Sequence, residues 1–158
     1  MSLAKWFSVV SVIAAGSLSS PVFAKESITL NCPAGTVQSS RIPDIVACVK
    51  TRENGSKFHG PTVYLYPNGA KQSEGMTEDG FRTGLWTFYN EQGRKTGSAS
   101  FKHSSFHGDV VELHENGKVK KVEQYVDGLR EGTVKEFSED GTLVKQATFH
   151  GNREVAVK

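Results

Sequence analysis

Apart from its N-terminus, this 158-residue chain lacks long apolar runs; it has only two cysteines and an almost balanced charge, formally +2. Each shortage removes a class of function. A membrane-spanning helix needs ~20 apolar residues in a row, and no such run exists. Near-neutrality argues against a dedicated nucleic-acid or anionic-membrane binder, whose footprint is a clear basic excess. The sequence also lacks a Gly-x-Ser-x-Gly elbow, a phosphate-binding loop and a His-Glu-x-x-His run. No enzyme activity is expected, and no cofactor or metal.

What the first residues do contain is an address. Met1 to Ala24 opens with the single cation Lys5, continues through Trp6 to Ala15, and ends Pro21-Val22-Phe23-Ala24. Small residues at Val22 and Ala24 fit a secretory cleavage site, so residues 1–24 read as a signal peptide, with a membrane anchor as the alternative. The residue after the cut is Lys25, not a cysteine that could carry a lipid. The mature chain, 25–158, keeps 18 of the 19 cations against 17 acids, a net +1. It is expected to be soluble and periplasmic or extracellular. In an exported chain the pair Cys32 and Cys48 reads first as a disulfide, ahead of metal ligation or free thiols. Closing a loop of that length stabilises by about 3 kcal/mol in the chain-entropy model.

Glycine carries the organisation. Gly60, Gly84, Gly108 and Gly132 step by 24 residues, as do Gly69, Gly93, Gly117 and Gly141. A fixed period of this size means stacked supersecondary units that cannot bury their apolar side chains alone. Four units align over 56–151 without insertion, and all eight glycines are read as turn glycines. Asn68-Gly69, Gln92-Gly93, Asn116-Gly117 and Asp140-Gly141 supply turn chemistry between two short runs, so each unit is one β-hairpin. Asp79-Gly80 and Asp127-Gly128 join successive hairpins; Ser104 and Asn152 replace the glycine elsewhere, making the Ser104 connection the least ideal. Residues 25–55 form a disulfide-stapled cap whose first strand spans roughly Cys48 to Arg52, and 152–158 supplies a closing strand at Val155-Ala156-Val157. The expected fold is all-β, an elongated single-layer antiparallel meander of about nine strands.

Column chemistry describes what holds it. Two residues after the first glycine stand Thr62, Trp86, Val110 and Val134; three further on stand Leu65, Tyr89, Leu113 and Phe137. Late in the second strand come Thr77, Phe101, Tyr125 and Phe149, with Gly75, Ala99, Glu123 and Ala147 two residues earlier on the same face. Small beside large at a fixed offset lets rings stack across the ladder. Most aromatics belong to the core, while Tyr64, Tyr66 and Tyr89 are candidates for exposed contacts.

These residues resemble a known family. The pattern G-x-W-x-x-Y, then N-G, then D-G-x-x-x-G, with Phe58-His59-Gly60 and Phe106-His107-Gly108, is similar to the MORN repeat, in the bacterial variant found in YwqK-type antitoxin family proteins. The Cys-Pro-x-Gly-Thr run at 32–36 resembles the N-terminal module of exported proteins of this kind. The resemblance implies a single-layer sheet serving as a scaffold for protein or lipid contacts. It also gives His59 and His107 a structural role, while His103 and His114 fall in other columns. Glu112, Glu123 and Glu136 depart from the pattern and make the C-terminal half more polar.

Charge is arranged systematically about the turns. Glu91, Glu115 and Glu139 precede them, and Arg94, Lys95, Lys118, Lys120, Lys121 and Lys145 follow, with Lys71 in the first unit. Either Glu91 pairs with Arg94 and Glu115 with Lys118 across their turns, or the cations form a basic row along one edge. The first expectation for function is an exported scaffold binding an envelope protein. The second is contact with anionic lipid headgroups or cell-wall polymer through Lys95, Lys118, Lys120, Lys121 and Lys145. Open sheet edges add the prospect of self-association.

Overall fold

The computed structural model describes residues 28–155; the expected signal peptide at 1–24 lies outside them. A cap of two strands, β1 (Val37–Ser39) and β2 (Ile45–Arg52), opens the fold. Three hairpins follow: β3 (Gly55–Leu65) with β4 (Lys71–Glu78), β5 (Phe81–Tyr89) with β6 (Lys95–Lys102), and β7 (Ser105–Leu113) with β8 (Val119–Val126). A two-residue strand β9 (Leu129–Arg130) leads into the fourth, β10 (Gly132–Phe137) with β11 (Leu143–His150), and β12 (Arg153–Val155) closes. All pairings are antiparallel, and strands follow one another across a single open sheet. The described strands number twelve, not nine, because the cap contributes two and the fourth hairpin is split. The cap strand also starts earlier than expected, at Ile45, and residues 156–158 of the expected closing strand lie outside the described range.

Register is the same in every hairpin. Thr62 faces Gly75, Trp86 faces Ala99, Val110 faces Glu123 and Val134 faces Ala147, so the expected columns do share a face. The turn at the second glycine is four residues long: Gly69 N donates to Tyr66 O at 2.8 Å, and Gly93, Gly117 and Gly141 do the same within 2.9 Å. Only the glycine of that turn has positive φ, whereas the connection between hairpins has two such residues, Asp79 and Gly80 for example. The tightest turns of the array are therefore these connections.

The first glycine column is a correction. Gly60, Gly84, Gly108 and Gly132 are not turn residues; they lie within the first strand of each hairpin, where the chain bulges. Between Ala47 and Val49 one residue faces three on β3, and the same slip recurs between Glu74 and Met76 and between Ala99 and Phe101. At the fourth hairpin it separates β9 from β10. A bulge of this kind needs positive φ, which these glycines adopt at 117°, 63°, 104° and 93°. The Ser104 connection also keeps its geometry: Ser104 sits at φ 65°, and its hydroxyl accepts from Arg82 N at 2.9 Å. Asn152 uses its carboxamide in the same way on Arg130 N at 2.7 Å. A side-chain acceptor compensates for the missing glycine.

A single layer has little interior, and its burial falls in two small clusters. On one face the segment at Ile28 and Leu30 covers Val46, Val63 and Leu65. Its position is fixed by the Cys32–Cys48 disulfide and by Gln38, which accepts from Leu30 N and donates to Ile28 O, both at 2.7 Å. On the other face Trp86, Ala99 and Phe101 pack with Tyr64, Phe88 and Val110. We call this the aromatic face.

Candidate interaction face

The aromatic face is organised around Trp86, which is fully buried in a sheet with no second layer. Three features bury it. Gly75 beneath it has no side chain: a Cβ there would lie 2.5–2.6 Å from the indole ring. Arg82 covers it, the guanidinium 4.5 Å from the Trp86 centroid and within 5.6 Å of Tyr64 and Phe101. The indole N–H is satisfied by Met76 O at 3.0 Å. Ring contacts then run across the ladder from Tyr64 through Trp86, Phe101 and Phe106 to Tyr125, with centroids 5.0–6.4 Å apart. Such pairs each add about 0.5–1.5 kcal/mol beyond burial. One hairpin pair further on, Arg130 repeats the role of Arg82 over Phe149, at 4.7 Å.

Where the array lacks a tryptophan it uses charge. Glu123 stands in the column of Gly75 and Ala99, is only 6% exposed, and lies 3.1 Å from Lys121 and 3.0 Å from Arg130 Nε. The Arg130 N–H does not aim at the oxygen, so the two atoms form an ion pair without a hydrogen bond. A buried carboxylate is tolerable here because two cations face it.

Two recesses open on this same face. One, about 390 Å³, has Gly97, Ala99 and Val110 as its floor, Phe88 and Phe106 as walls, and Glu112 at the rim. Gly97 is required there, since a Cβ would meet Val111 O at 2.3 Å. The other, about 330 Å³, lies over the cap between Val37, Ile42, Ile45, Val49 and Phe58, with Arg41 beside it. Phe106 is 37% exposed and Ile42 51% exposed, so both recesses present apolar surface to solvent.

The sequence-derived contact residues fare differently. Tyr64, Tyr66 and Tyr89 are half-buried and structurally committed. Tyr64 packs on Trp86, Tyr66 donates to Tyr89 O at 2.9 Å, and Tyr89 donates to Glu74 Oε1 at 2.5 Å. Burial and the Glu74 carboxylate push the Tyr89 hydroxyl up to about 12. Burial works against the Glu74 charge, yet the Lys71 ammonium and the Tyr89 hydroxyl hold that carboxyl below its usual value.

The lysine row is likewise mostly engaged. Lys118 donates to Asp140 O at 2.8 Å, Lys120 lies 3.5 Å from Glu112, and Lys121 reaches Glu123 and, at 4.0 Å, Glu136. Lys95 and Lys145 are exposed. The expected pairs Glu91 with Arg94 and Glu115 with Lys118 are not formed. Instead the turn acids offer their carbonyls: Asn68 donates to Glu91 O at 3.1 Å and Asn116 to Glu139 O at 2.8 Å.

Both Phe-His-Gly histidines bind the aspartate of the next connection. His59 Nδ1 is 3.2 Å from Asp79, and His107 Nδ1 is 3.2 Å from Asp127. Arg52 and Lys102 hold those two carboxyls below the usual range. His114 Nε2 donates to Phe137 O at 2.8 Å, while His103 packs edge-on to Phe81. Among the described residues no three His, Cys, Asp or Glu converge as a metal site would require.

Residues 106–127 and 130–150 match the family of the MORN repeat variant. Those two stretches are similar to MORN repeats. Hairpins 58–79 and 82–103 share their register, with Gly60 facing Thr77 and Gly84 facing Phe101 as Gly108 faces Tyr125. No curated protein matches the sequence significantly. A crystal structure of a TarM mutant from S. aureus, in complex with fondaparinux, alpha-GlcNAc-glycerol and UDP, is similar at 11% identity and a TM-score of 0.36. The match covers 77% of this chain and 21% of that one, so the chain spans about a fifth of the length of that relative.

Proposed function

We propose that the protein is an exported, non-enzymatic MORN-repeat scaffold of the bacterial cell envelope that holds a protein partner against its aromatic face. The observation carrying this reading is the pair of apolar recesses, about 330 and 390 Å³, opening on one face of a single sheet. Each has the size and lining to accept side chains of a partner, and aromatic walls are typical of interface anchors. Export is supported by the leader-like residues 1–24 and by the Cys32–Cys48 bridge. The Phe-His-Gly motifs and the matched repeats support kinship with YwqK-type antitoxin family proteins; antitoxin-like neutralisation would then act on a partner outside the cytoplasm.

The test is cross-linked affinity capture from an envelope fraction with the mature chain and with Phe106→Lys, which charges the wall of the larger recess. A single saturable partner, lost with Phe106→Lys while the thermal melt is retained, supports the reading. Equal capture by both proteins refutes it. Contact with anionic lipid or cell-wall polymer has less support, because Lys118, Lys120 and Lys121 already have partners.

A further inference from the structure

Arg82 and Arg130 stand 48 residues apart, and each guanidinium sits over a ring, 4.5 Å from Trp86 in one case and 4.7 Å from Phe149 in the other. Their electrostatic surroundings differ. Glu123, buried, lies 3.0 Å from Arg130 Nε, and Glu112 and Glu136 flank Lys121 on the two neighbouring strands. Forty-eight residues earlier, the positions of Glu123, Glu112 and Glu136 hold Gly75, Tyr64 and Phe88. The first half of the array keeps the cation and omits the acids. Among the described residues the Arg82 guanidinium has no ion-pair or hydrogen-bond partner; what holds it is the set of rings of Tyr64, Trp86 and Phe101, all within 5.6 Å. It is half-buried, so part of it still meets solvent.

A stacked guanidinium has already lost most of its side-chain freedom, so pairing it with an anion costs little further ordering. Its planar fork of N–H donors matches the two oxygens of a carboxylate. Lys121, the second cation beside Glu123, corresponds to Ser73 here, so the spot offers one positive charge where a phosphate group would need more. We infer that Arg82 is a carboxylate-binding anchor of the aromatic face, and that a protein partner supplies to it, from an Asp or Glu side chain, the anion that Glu123 supplies to Arg130 within the chain. Arginine framed by aromatic rings is also the composition of an interface hot spot. This inference rests on reading the aromatic face as a protein-binding surface.

The probe is a blocked tetraglutamate peptide titrated into the mature chain at constant ionic strength, with the tetraglutamine peptide as control. Trp86 is the only tryptophan in residues 25–158, so its emission reports the site directly. A saturable change is expected with the glutamate peptide and none with the glutamine peptide. Arg82→Gln should weaken binding about fivefold or more, the factor an exposed ion pair supports, with the thermal melt retained. Lys135→Gln removes an exposed cation from the opposite face and should leave binding unchanged. If Arg82→Gln does not fold, the Arg82 Nε–H resonance of the parent chain decides by NMR: it must shift with the same midpoint as the emission. A flat titration, a resonance that stays in place, or binding indifferent to Arg82→Gln overturns the inference. So does Arg82-dependent binding to phosphatidylglycerol vesicles without peptide binding, which assigns the cation to a lipid phosphate. Because the titration does not use the envelope partner, a flat result beside capture that still depends on Phe106 refutes the carboxylate contact alone.

Discussion

Gly75→Ala isolates the contact on which the aromatic face is built. The backbone of Gly75 is not in the left-handed region, so alanine meets no conformational obstacle. Were the space open, reduced freedom of the unfolded chain would stabilise the variant by about 0.4–1 kcal/mol. The new Cβ, however, would stand 2.5–2.6 Å from Cγ, Cδ2 and Cε2 of Trp86, a rigid ring fixed from the other side by Arg82 at 4.5 Å. Overpacking of this kind costs about 1–3 kcal/mol, so the ring decides the sign. At about 4 °C per kcal/mol for a chain of this size, the melting temperature should fall by roughly 4–12 °C. Each hairpin of a repeat array is stabilised by its neighbours, so amide exchange should accelerate first in β4, β5 and β6. The control is the same substitution in a Trp86→Val background, which reproduces the Val110 column and should be neutral or stabilising. If Gly75→Ala raises the melting temperature of the parent, or costs the same with and without Trp86, the account of this face is wrong.

Tyr66→Phe removes the hydroxyl that bonds Tyr89 O and should cost about 1 kcal/mol in urea unfolding; an unchanged midpoint would return Tyr66 to the pool of free contact residues. Asp140 is held down to about 2 by the Ser138 hydroxyl and the Thr142 amide, and Asp79 and Asp127 are also depressed. A carboxyl whose pKa is lower in the fold contributes stability above its unfolded value of 3.8 that is lost as pH drops through the folded value. Urea midpoints should thus decline between about pH 4 and pH 2, less steeply in Asp140→Asn, and a midpoint rising over that window would contradict the assignment. Reduction of the Cys32–Cys48 bridge should cost about 3 kcal/mol in the chain-entropy model and expose Val46, Val63 and Leu65 as the segment at Ile28 and Leu30 comes free. An unshifted melt with reductant would show that Gln38 alone holds the cap.

What could be read from residues alone was periodicity and facing, because both are properties of spacing. Gly75 with Thr77 and Ala99 with Phe101 were placed on one face by parity, and Ala99 and Phe101 do pack in one cluster. Glycine spacing misled at Gly60, Gly84, Gly108 and Gly132 for a physical reason: glycine reports only that φ is positive, which a turn and a bulge satisfy equally. The discriminating signal was the strand-like residues on both sides of the glycine, Phe58 before Gly60 and Thr62-Val63-Tyr64 after it, which continue one strand through that position. The recesses were not legible, since they depend on how far Phe88 and Phe106 stand above Gly97. A second, longer period was present but unused: Phe58, Arg82, Phe106 and Arg130 alternate in one column. In the fold that alternation groups the hairpins in pairs. Tyr66 and Asn68 bond forward onto Tyr89 and Glu91, and His114 and Asn116 onto Phe137 and Glu139. No equivalent side-chain bond runs from the second turn to the third among the described residues. The natural unit of this array is thus a pair of hairpins spanning 48 residues, and the junction between β6 and β7, beside the larger recess, lacks the turn-to-turn side-chain bonds of the junctions on either side and is crossed instead by the Phe101–Phe106 stack. A partner's side chain seated on this face, as proposed, would enter beside the one junction between hairpins whose turns are not tied by side chains, so it could displace Phe106 without breaking the bonds within either pair.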